Sequence, residues 1–145
     1  MNREIKFRGK MLDSDDFVYG YYIHSELPNE IFEHKIYCAD VNRLIDVKAE
    51  TIGQFTGLHD KNGKEIYEGD AFEDEDGYYI IVWDEKEAGF LVDTYGIEEW
   101  FGEGGQECYG NKIEFIGREP IDYFDFSKIE ITKNIYDNPE LLGGE

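Results

Sequence analysis

Apolar and polar positions alternate over short stretches along most of this chain. Near the start, Ile5 and Phe7 alternate with two basic residues, which is the period of a strand with one buried face. No segment keeps an apolar period of 3.6 residues long enough to indicate a substantial helix. Polar stretches rich in Gly, Asp and Asn separate the apolar segments at short intervals. The pattern therefore predicts a mainly β chain, with a barrel or a sandwich as its architecture.

The predicted strands pair into antiparallel hairpins. Residues 5–10 and 17–23 flank the turn sequence DSDD, and residues 35–39 and 43–47 flank the short link DVN. Gly20 falls inside a strand, where a glycine indicates a bulge or a close approach of two backbones. Few helical turns are expected. Later strands are predicted at residues 51–58, 65–67, 78–85, 89–95, 112–116, 123–126 and 128–132, and a further strand is predicted to start at Gly69-Asp70 and to run into a polar turn at residues 75–77. Short helical turns are predicted within 26–34, over 97–101 and after Asn138.

Two glycine-containing steps in the middle of the chain are predicted to be structural. Asn62 and Gly63 lie between two predicted strands, and Asn-Gly is the strongest short-range signal for a two-residue hairpin because both residues tolerate positive φ. The prediction is a type I′ turn. Gly69, followed by Asp70, is expected to bend the chain where a side chain would be crowded. We assign these four residues to architecture and not to chemistry.

Composition and charge restrict the partners. The 145 residues, 41% of them hydrophobic and 16% aromatic, suffice for one domain or two small ones with a buried core. Net charge is −20, and residues 58–145 hold 24 of the 34 acidic residues but only 7 of the 14 basic ones. Such a charge repels phosphate groups, so no direct binding to nucleic acid or to an anionic membrane is expected. It attracts basic protein surfaces.

Targeting and redox features are sparse. The opening sequence MNREIKFRGK lacks the apolar core of a signal peptide. The longest apolar run, at residues 78–83, is too short to span a bilayer. Cys38 and Cys108 are too few for a disulfide scaffold, and Cys38 is expected to be a small buried residue. The chain is therefore predicted to lie in the cytoplasm, with free thiols.

No motif for catalysis, cofactor or metal binding is found in the sequence. The three histidines, His24, His34 and His59, belong to no recognised catalytic pattern. The acidic run at residues 73–76 does not match a calcium loop, because counting back from Gly77 places Phe72 at its first position. His34 and Cys38 are spaced unsuitably for zinc on an extended strand. We expect no enzyme, cofactor or metal site; a weak metal-binding or enzymatic role stays as an alternative.

Aromatic residues gather after residue 77. Alternation along residues 78–83 gives this strand two apolar faces, so it is predicted to be buried on both sides. Tyr and Trp are enriched at protein interfaces because they bury a large area and keep a polar tip. The alternative is that all of these side chains belong to the core. The predicted protein-interaction surface consists of Tyr78, Tyr79, Trp83, Tyr95 and Trp100.

Four motifs in order resemble the YopX-like proteins of bacteriophages and prophages. They are IKFRGK with FVYGYYI at residues 5–23, TIGQFTGLHDKNGKEIYEGD at 51–70, IVWDE at 81–85 and NIYDNPELL at 134–142. The resemblance spans nearly the whole chain. It implies a β-rich N-terminal part, residues 1–57, and a C-terminal part similar to an SH3-like barrel, residues 58–145, unless both form one compact unit. It implies an origin in a mobile element but no particular reaction.

The sequence thus predicts a non-enzymatic module of a phage or prophage that acts in the host cytoplasm. Its partner is expected to be another protein or a second copy of the chain. An alternative of a different class is an acidic mimic of nucleic acid that occupies a basic host protein, which the charge of residues 58–145 suggests.

Overall fold

The computed structural model describes residues 4–24, 34–101 and 108–142, with residues 97–101 and 108–113 described by their backbone alone. Within these residues the chain forms two antiparallel sheets and four 3-10 helices of three or four residues. The mainly β prediction is confirmed. The helical turn predicted within 26–34 falls on residues outside the described part. No helix of the described part is long and apolar enough to cross a membrane.

The first sheet has six antiparallel strands in the order β4-β3-β2-β1-β5-β6 along the sheet. They are β1 (Phe7–Lys10), β2 (Phe17–His24), β3 (His34–Cys38), β4 (Arg43–Asp46), β5 (Gly53–His59) and β6 (Glu65–Tyr67). The first two predicted hairpins are confirmed, with Phe7 opposite Gly20 and Tyr37 opposite Leu44. A Cβ at Gly20 would overlap the carbonyl oxygen of Tyr37, so the predicted close approach of two backbones is present.

The second sheet has five antiparallel strands in the order β10-β9-β8-β7-β11. They are β7 (Asp70–Asp74), β8 (Gly77–Asp84), β9 (Gly89–Phe101), β10 (Cys108–Pro120) and β11 (Lys133–Asn134). The short helix predicted over residues 97–101 is wrong. These residues continue β9, because β10 pairs with them along the hairpin and opposes Ile97 with Ile113.

The strands predicted at residues 123–126 and 128–132 are also wrong. This segment contains the 3-10 helices Ile121–Tyr123 and Phe126–Lys128. Pro120 precedes the first helix, and a proline has no N–H to continue a strand ladder. The side chain of Asp125 accepts a hydrogen bond from the N–H of Ser127 at 3.2 Å and so caps the second helix. Local capping thus takes the place of strand pairing here.

The contacts within the chain group it into two units. Unit 1 comprises residues 1–59 and 65–68, and unit 2 comprises residues 60–64 and 69–145. The sequence predicts the boundary after residue 57. By its contacts, the chain passes from unit 1 to unit 2 at residue 60, back to unit 1 at residue 65, and to unit 2 again at residue 69. The six-stranded sheet lies in unit 1 and the five-stranded sheet in unit 2.

Both units contain buried apolar residues. In unit 1, Ile36 and Ile66 are fully buried, and Tyr67 is almost fully buried. In unit 2, Ile80 and Ile81 are both buried, although neighbours in a strand point to opposite faces. At these residues β8 is therefore buried on both sides, as predicted. The predicted helical turn after Asn138 is the 3-10 helix Pro139–Leu142, which buries Leu141 against the same core.

Candidate protein-interaction site

The aromatic residues predicted as an interaction surface have different surroundings in the structure. Tyr78 is buried, stacks on Tyr95 with ring centroids 5.0 Å apart, and donates a hydrogen bond from its hydroxyl to the carbonyl of Leu141 at 2.8 Å. Tyr78 is therefore a core side chain. Trp83 is 39% exposed, and the side chain of Trp100 lies outside the described part. Tyr79, on the opposite face of β8 from Tyr78, is half-buried and borders a groove.

This groove lies in unit 2 and has a volume of about 370 Å³. Its floor is apolar and contains Phe72, Tyr79, Phe124 and Ile129. Its rim is charged and of mixed sign, with two lysines and three carboxylates among its groups. The rim residues are Lys61, Glu73, Asp74, Lys128 and Glu130. We call this feature the aromatic groove.

Three rings hold one another in the floor of the aromatic groove. Phe72 and Tyr79 are directly opposite in the pairing of β7 with β8, and their rings stack at 4.8 Å. Phe124 meets both rings edge-on, at 5.8 Å from Phe72 and 5.7 Å from Tyr79. Beside them, Phe126 is buried and packs edge-on against Phe72. Such aromatic pairs contribute about 0.5–1.5 kcal/mol each beyond their buried area, so the three rings stabilise one another's positions.

Asp74 fixes the polar end of Tyr79. One carboxylate oxygen of Asp74 accepts hydrogen bonds from the N–H groups of Asp76 and Gly77, at 2.9 and 3.2 Å. The other accepts a hydrogen bond from the Tyr79 hydroxyl at 2.9 Å. Burial, together with this hydrogen bond to a carboxylate, raises the pKa of Tyr79 to about 12. Tyr79 therefore stays a neutral phenol at neutral pH, and part of the acidic run serves to build a turn.

The turn that supplies Lys61 to the rim is organised by one buried carboxylate. Asp60 Oδ1 accepts hydrogen bonds from the N–H groups of Asn62 and Lys64, at 2.9 and 3.0 Å. Asp60 Oδ2 accepts one from the N–H of Ile131 at 2.9 Å. Burial opposes the charged form of this carboxyl, but the backbone donors outweigh burial and hold the pKa of Asp60 below its usual range. The charge thereby joins the turn to the segment that carries Ile129.

The turn differs from the predicted type I′ geometry. A type I′ turn needs positive φ at both central residues. Gly63 has φ of +80°. The non-glycine residues with positive φ in the described part of the chain are Asn42 and Ala88, so the φ of Asn62 is negative. The N–H of Gly63 donates to the carbonyl of Asp60 at 3.0 Å. The hairpin thus has a β-turn over residues 60–63 that ends in a glycine with positive φ, and the Asp60 carboxylate holds it by hydrogen bonds from Asn62 and Lys64.

The second predicted structural pair, Gly69 and Asp70, lies where the chain enters β7. Gly69 has φ of +93°, and a Cβ at this position would lie 2.8 Å from the ring of Tyr136. Its N–H donates to the carbonyl of Ile81 at 2.8 Å. Asp70, which follows, is buried and pairs with Asn134 in β11. The step therefore positions β7, and with it Phe72 in the groove.

The chemistry of the aromatic groove suits binding. It offers fixed rings and a charged rim, and the three histidines of the chain belong to unit 1. There, His34 shares a hydrogen bond of 2.6 Å with the hydroxyl of Tyr22, and its ring stacks on that of His24.

The sequence identified only part of this site. The apolar alternation of β8 singles out Tyr79, whereas the strands predicted at residues 123–126 and 128–132 do not single out Phe124 or Ile129. The signal that could have found them is the combination of Pro120 with the capping pair Asp125 and Ser127, which indicates a compact, non-strand link.

Comparison with known proteins gives one positive result. A protein-family model described as YopX protein matches residues 6–143 of the chain. A search of curated proteins returns no match.

Proposed function

The chain belongs to the YopX family, and on this premise we propose that it is a non-enzymatic protein-interaction module that binds a segment of a partner protein in the aromatic groove. The observation that carries the proposal is the preformed floor, in which Tyr79 and Phe124 remain partly accessible above buried Phe72. In keeping with the phage and prophage proteins that the sequence resembles, the proposed setting is the cytoplasm of a host cell.

Physical principles support binding by such a floor. Aromatic side chains bury a large area, and rings already held by their neighbours lose little conformational freedom when a partner docks. The groove volume of about 370 Å³ is at the lower end of the range of ligand pockets, roughly 300–1,000 Å³. Binding energy at interfaces concentrates in a few such central residues, surrounded by a polar rim.

The test compares Phe124→Ala with Tyr123→Ala. Tyr123 is the adjacent residue, is 72% exposed and does not line the groove. Affinity capture with the wild-type chain identifies the partner, and calorimetry with the purified partner then measures the dissociation constant. We expect Phe124→Ala to weaken binding about 30-fold, the usual effect of losing a central aromatic residue, and Tyr123→Ala to leave it unchanged.

A third variant separates the ring from its hydroxyl. Tyr79→Phe keeps the stacked ring and removes the hydrogen bond to Asp74, so it should bind almost as the wild type does. Circular dichroism establishes that every variant is folded. A folded Phe124→Ala chain with wild-type affinity would show that the groove is not the binding site.

The charge distribution favours a second candidate function, an acidic mimic of nucleic acid. Unit 2 contains 22 of the 34 acidic residues and 7 of the 14 basic ones, a net charge of −15. A mimic would capture nucleic-acid-binding proteins, and its affinity would fall steeply as salt rises from about 50 to about 200 mM. Capture that depends on salt in this way, and is unaffected by Phe124→Ala, would favour the mimic over the groove.

A further inference from the structure

Two histidines face each other across neighbouring strands of the sheet in unit 1. His24 is the last residue of β2, His34 is the first residue of β3, and the two are directly opposite in the strand register. Their rings are parallel within 6°, with centroids 4.8 Å apart. His24 is exposed and His34 is half-buried, so the pair is accessible from solvent. Sequence spacing argues against zinc at His34 and Cys38, whereas the strand register brings a second imidazole to His34.

The backbone places this pair in the closer of the two cross-strand geometries. The N–H of Val47, directly after β4, donates to the carbonyl of His34 at 3.1 Å. The backbone groups of His34 therefore point toward β4 and away from β2, because the N–H and C=O of one strand residue point to the same side. His24 and His34 are thus a non-hydrogen-bonded pair, in which the Cα atoms are about 4.5 Å apart and the side chains lie closest together.

Tyr22 orients the imidazole of His34. Its hydroxyl oxygen lies 2.6 Å from Nδ1 of His34, and its ring is parallel to the imidazole within 7° at a centroid distance of 5.9 Å. Phe7 packs in turn against Tyr22, with ring centroids 5.7 Å apart. When Nδ1 carries the proton and donates it to the tyrosine oxygen, Nε2 of His34 keeps its lone pair. A histidine that binds a metal ion typically donates its second ring N–H in this way.

We propose that His24 and His34 bind a divalent transition-metal ion of the zinc and copper class, with Tyr22 as the positioning residue of His34. Imidazole nitrogens suit these ions, whereas Mg²⁺ and Ca²⁺ prefer oxygen ligands. Zn–N bonds of about 2.0–2.1 Å at a tetrahedral angle require two nitrogens about 3.3 Å apart. A rotation of each ring about its Cβ–Cγ bond, for which histidine has a broad preference, turns one nitrogen of each ring toward a common ion. The site lies in unit 1 and does not depend on the aromatic groove.

Isothermal titration calorimetry of the full chain with zinc chloride tests the site, and magnesium chloride is the control. The net charge of −20 attracts every divalent cation, so magnesium measures the non-specific part of the binding. We expect one zinc ion per chain with a dissociation constant in the micromolar range, and far weaker binding of magnesium.

His24→Asn and His59→Asn are the matched pair of variants. His59 is also exposed, but it lies in β5 and packs against Phe55. We expect His24→Asn to raise the dissociation constant for zinc at least about 100-fold, because losing a ligand costs more than the tenfold to 100-fold that losing an outer hydrogen-bond partner costs. His59→Asn should leave it unchanged. Tyr22→Phe, which keeps the ring and removes the hydroxyl, should raise it about tenfold.

NMR spectroscopy identifies the ligands without any substitution. Zinc should shift the imidazole signals of His24 and His34 and leave those of His59 in place, and circular dichroism establishes that each variant is folded. Zinc binding no tighter than that of magnesium, unmoved signals of His24 and His34, or a His24→Asn chain with wild-type affinity would overturn the site. A Tyr22→Phe chain that binds zinc as the wild type does would overturn the role given to Tyr22.

Discussion

Asp60 shows how much structure one side chain can organise. Its buried carboxylate accepts three backbone N–H donors, two of them within its own turn and one from Ile131. Hydrogen bonds to a charged acceptor are about twice as strong as those between neutral groups. The residue was present in the sequence as part of the string DKNG, but its third donor lies 71 residues away. Only the turn half of its role could be inferred from local sequence.

We predict that Asp60→Asn destabilises the fold by about 2–3 kcal/mol. The Asn amide has one accepting oxygen and one NH₂ group, and the NH₂ group would face a backbone N–H donor and leave it without an acceptor. The native pKa of Asp60 is lowered, so the carboxylate contributes fully above the unfolded pKa of about 4 and loses its contribution as pH falls through the native value. The difference in unfolding free energy between wild type and variant should therefore be constant near neutral pH and shrink in acid.

Urea unfolding measured from pH 7 down to about pH 3 follows this difference. Asp122→Asn, at an exposed position, serves as the control and should match the wild type. An Asp60→Asn chain as stable as the wild type at neutral pH would contradict the role given to the carboxylate.

At the scale of elements, the hairpin turn at residues 60–63 depends on the backbone of Gly63. Its φ of +80° disfavours any side chain, although a Cβ there would meet no atom within 4 Å. We predict that Gly63→Val destabilises the chain by about 1–3 kcal/mol, through backbone strain alone. Gly63→Asn should reduce the free energy of unfolding by distinctly less than Gly63→Val, because asparagine tolerates this backbone conformation. Thermal unfolding ranks the two variants, and equal melting temperatures for valine and glycine would disprove the explanation.

Elements with local signals were predicted, and elements fixed by distant contacts were not. The hairpins before residue 60 and the strands β7 and β8 follow from alternation and turn residues close in sequence. The helix predicted at the end of β9 is wrong, since the strand conformation there depends on pairing with β10, whose residues are not adjacent in sequence. For the same reason Tyr79 could be selected for the candidate site, whereas Phe124 could not: packing against Phe72 brings it there.

At the scale of the whole molecule, a net charge of −20 opposes compaction. We predict that raising sodium chloride from about 20 to about 500 mM at pH 7 increases the melting temperature, because screening reduces repulsion among carboxylates. For a variant with Glu75→Gln and Asp76→Asn, both at exposed positions, the same increase in salt should raise the melting temperature by less. Differential scanning calorimetry measures both, and a melting temperature that falls with salt would mean that attractive ion pairs outweigh the repulsion.

The bond between Asp60 and Ile131 also affects the timing of folding during synthesis. A ribosome adding about 5–20 residues per second needs several seconds to translate from one residue to the other. Throughout that interval at most the two turn donors are available to the carboxylate, because the third has not yet been made. The nascent turn at residue 60 is thus completed only when most of the chain has been made. A slow stretch of codons before residue 131 would prolong the period in which this buried charge is still open to water.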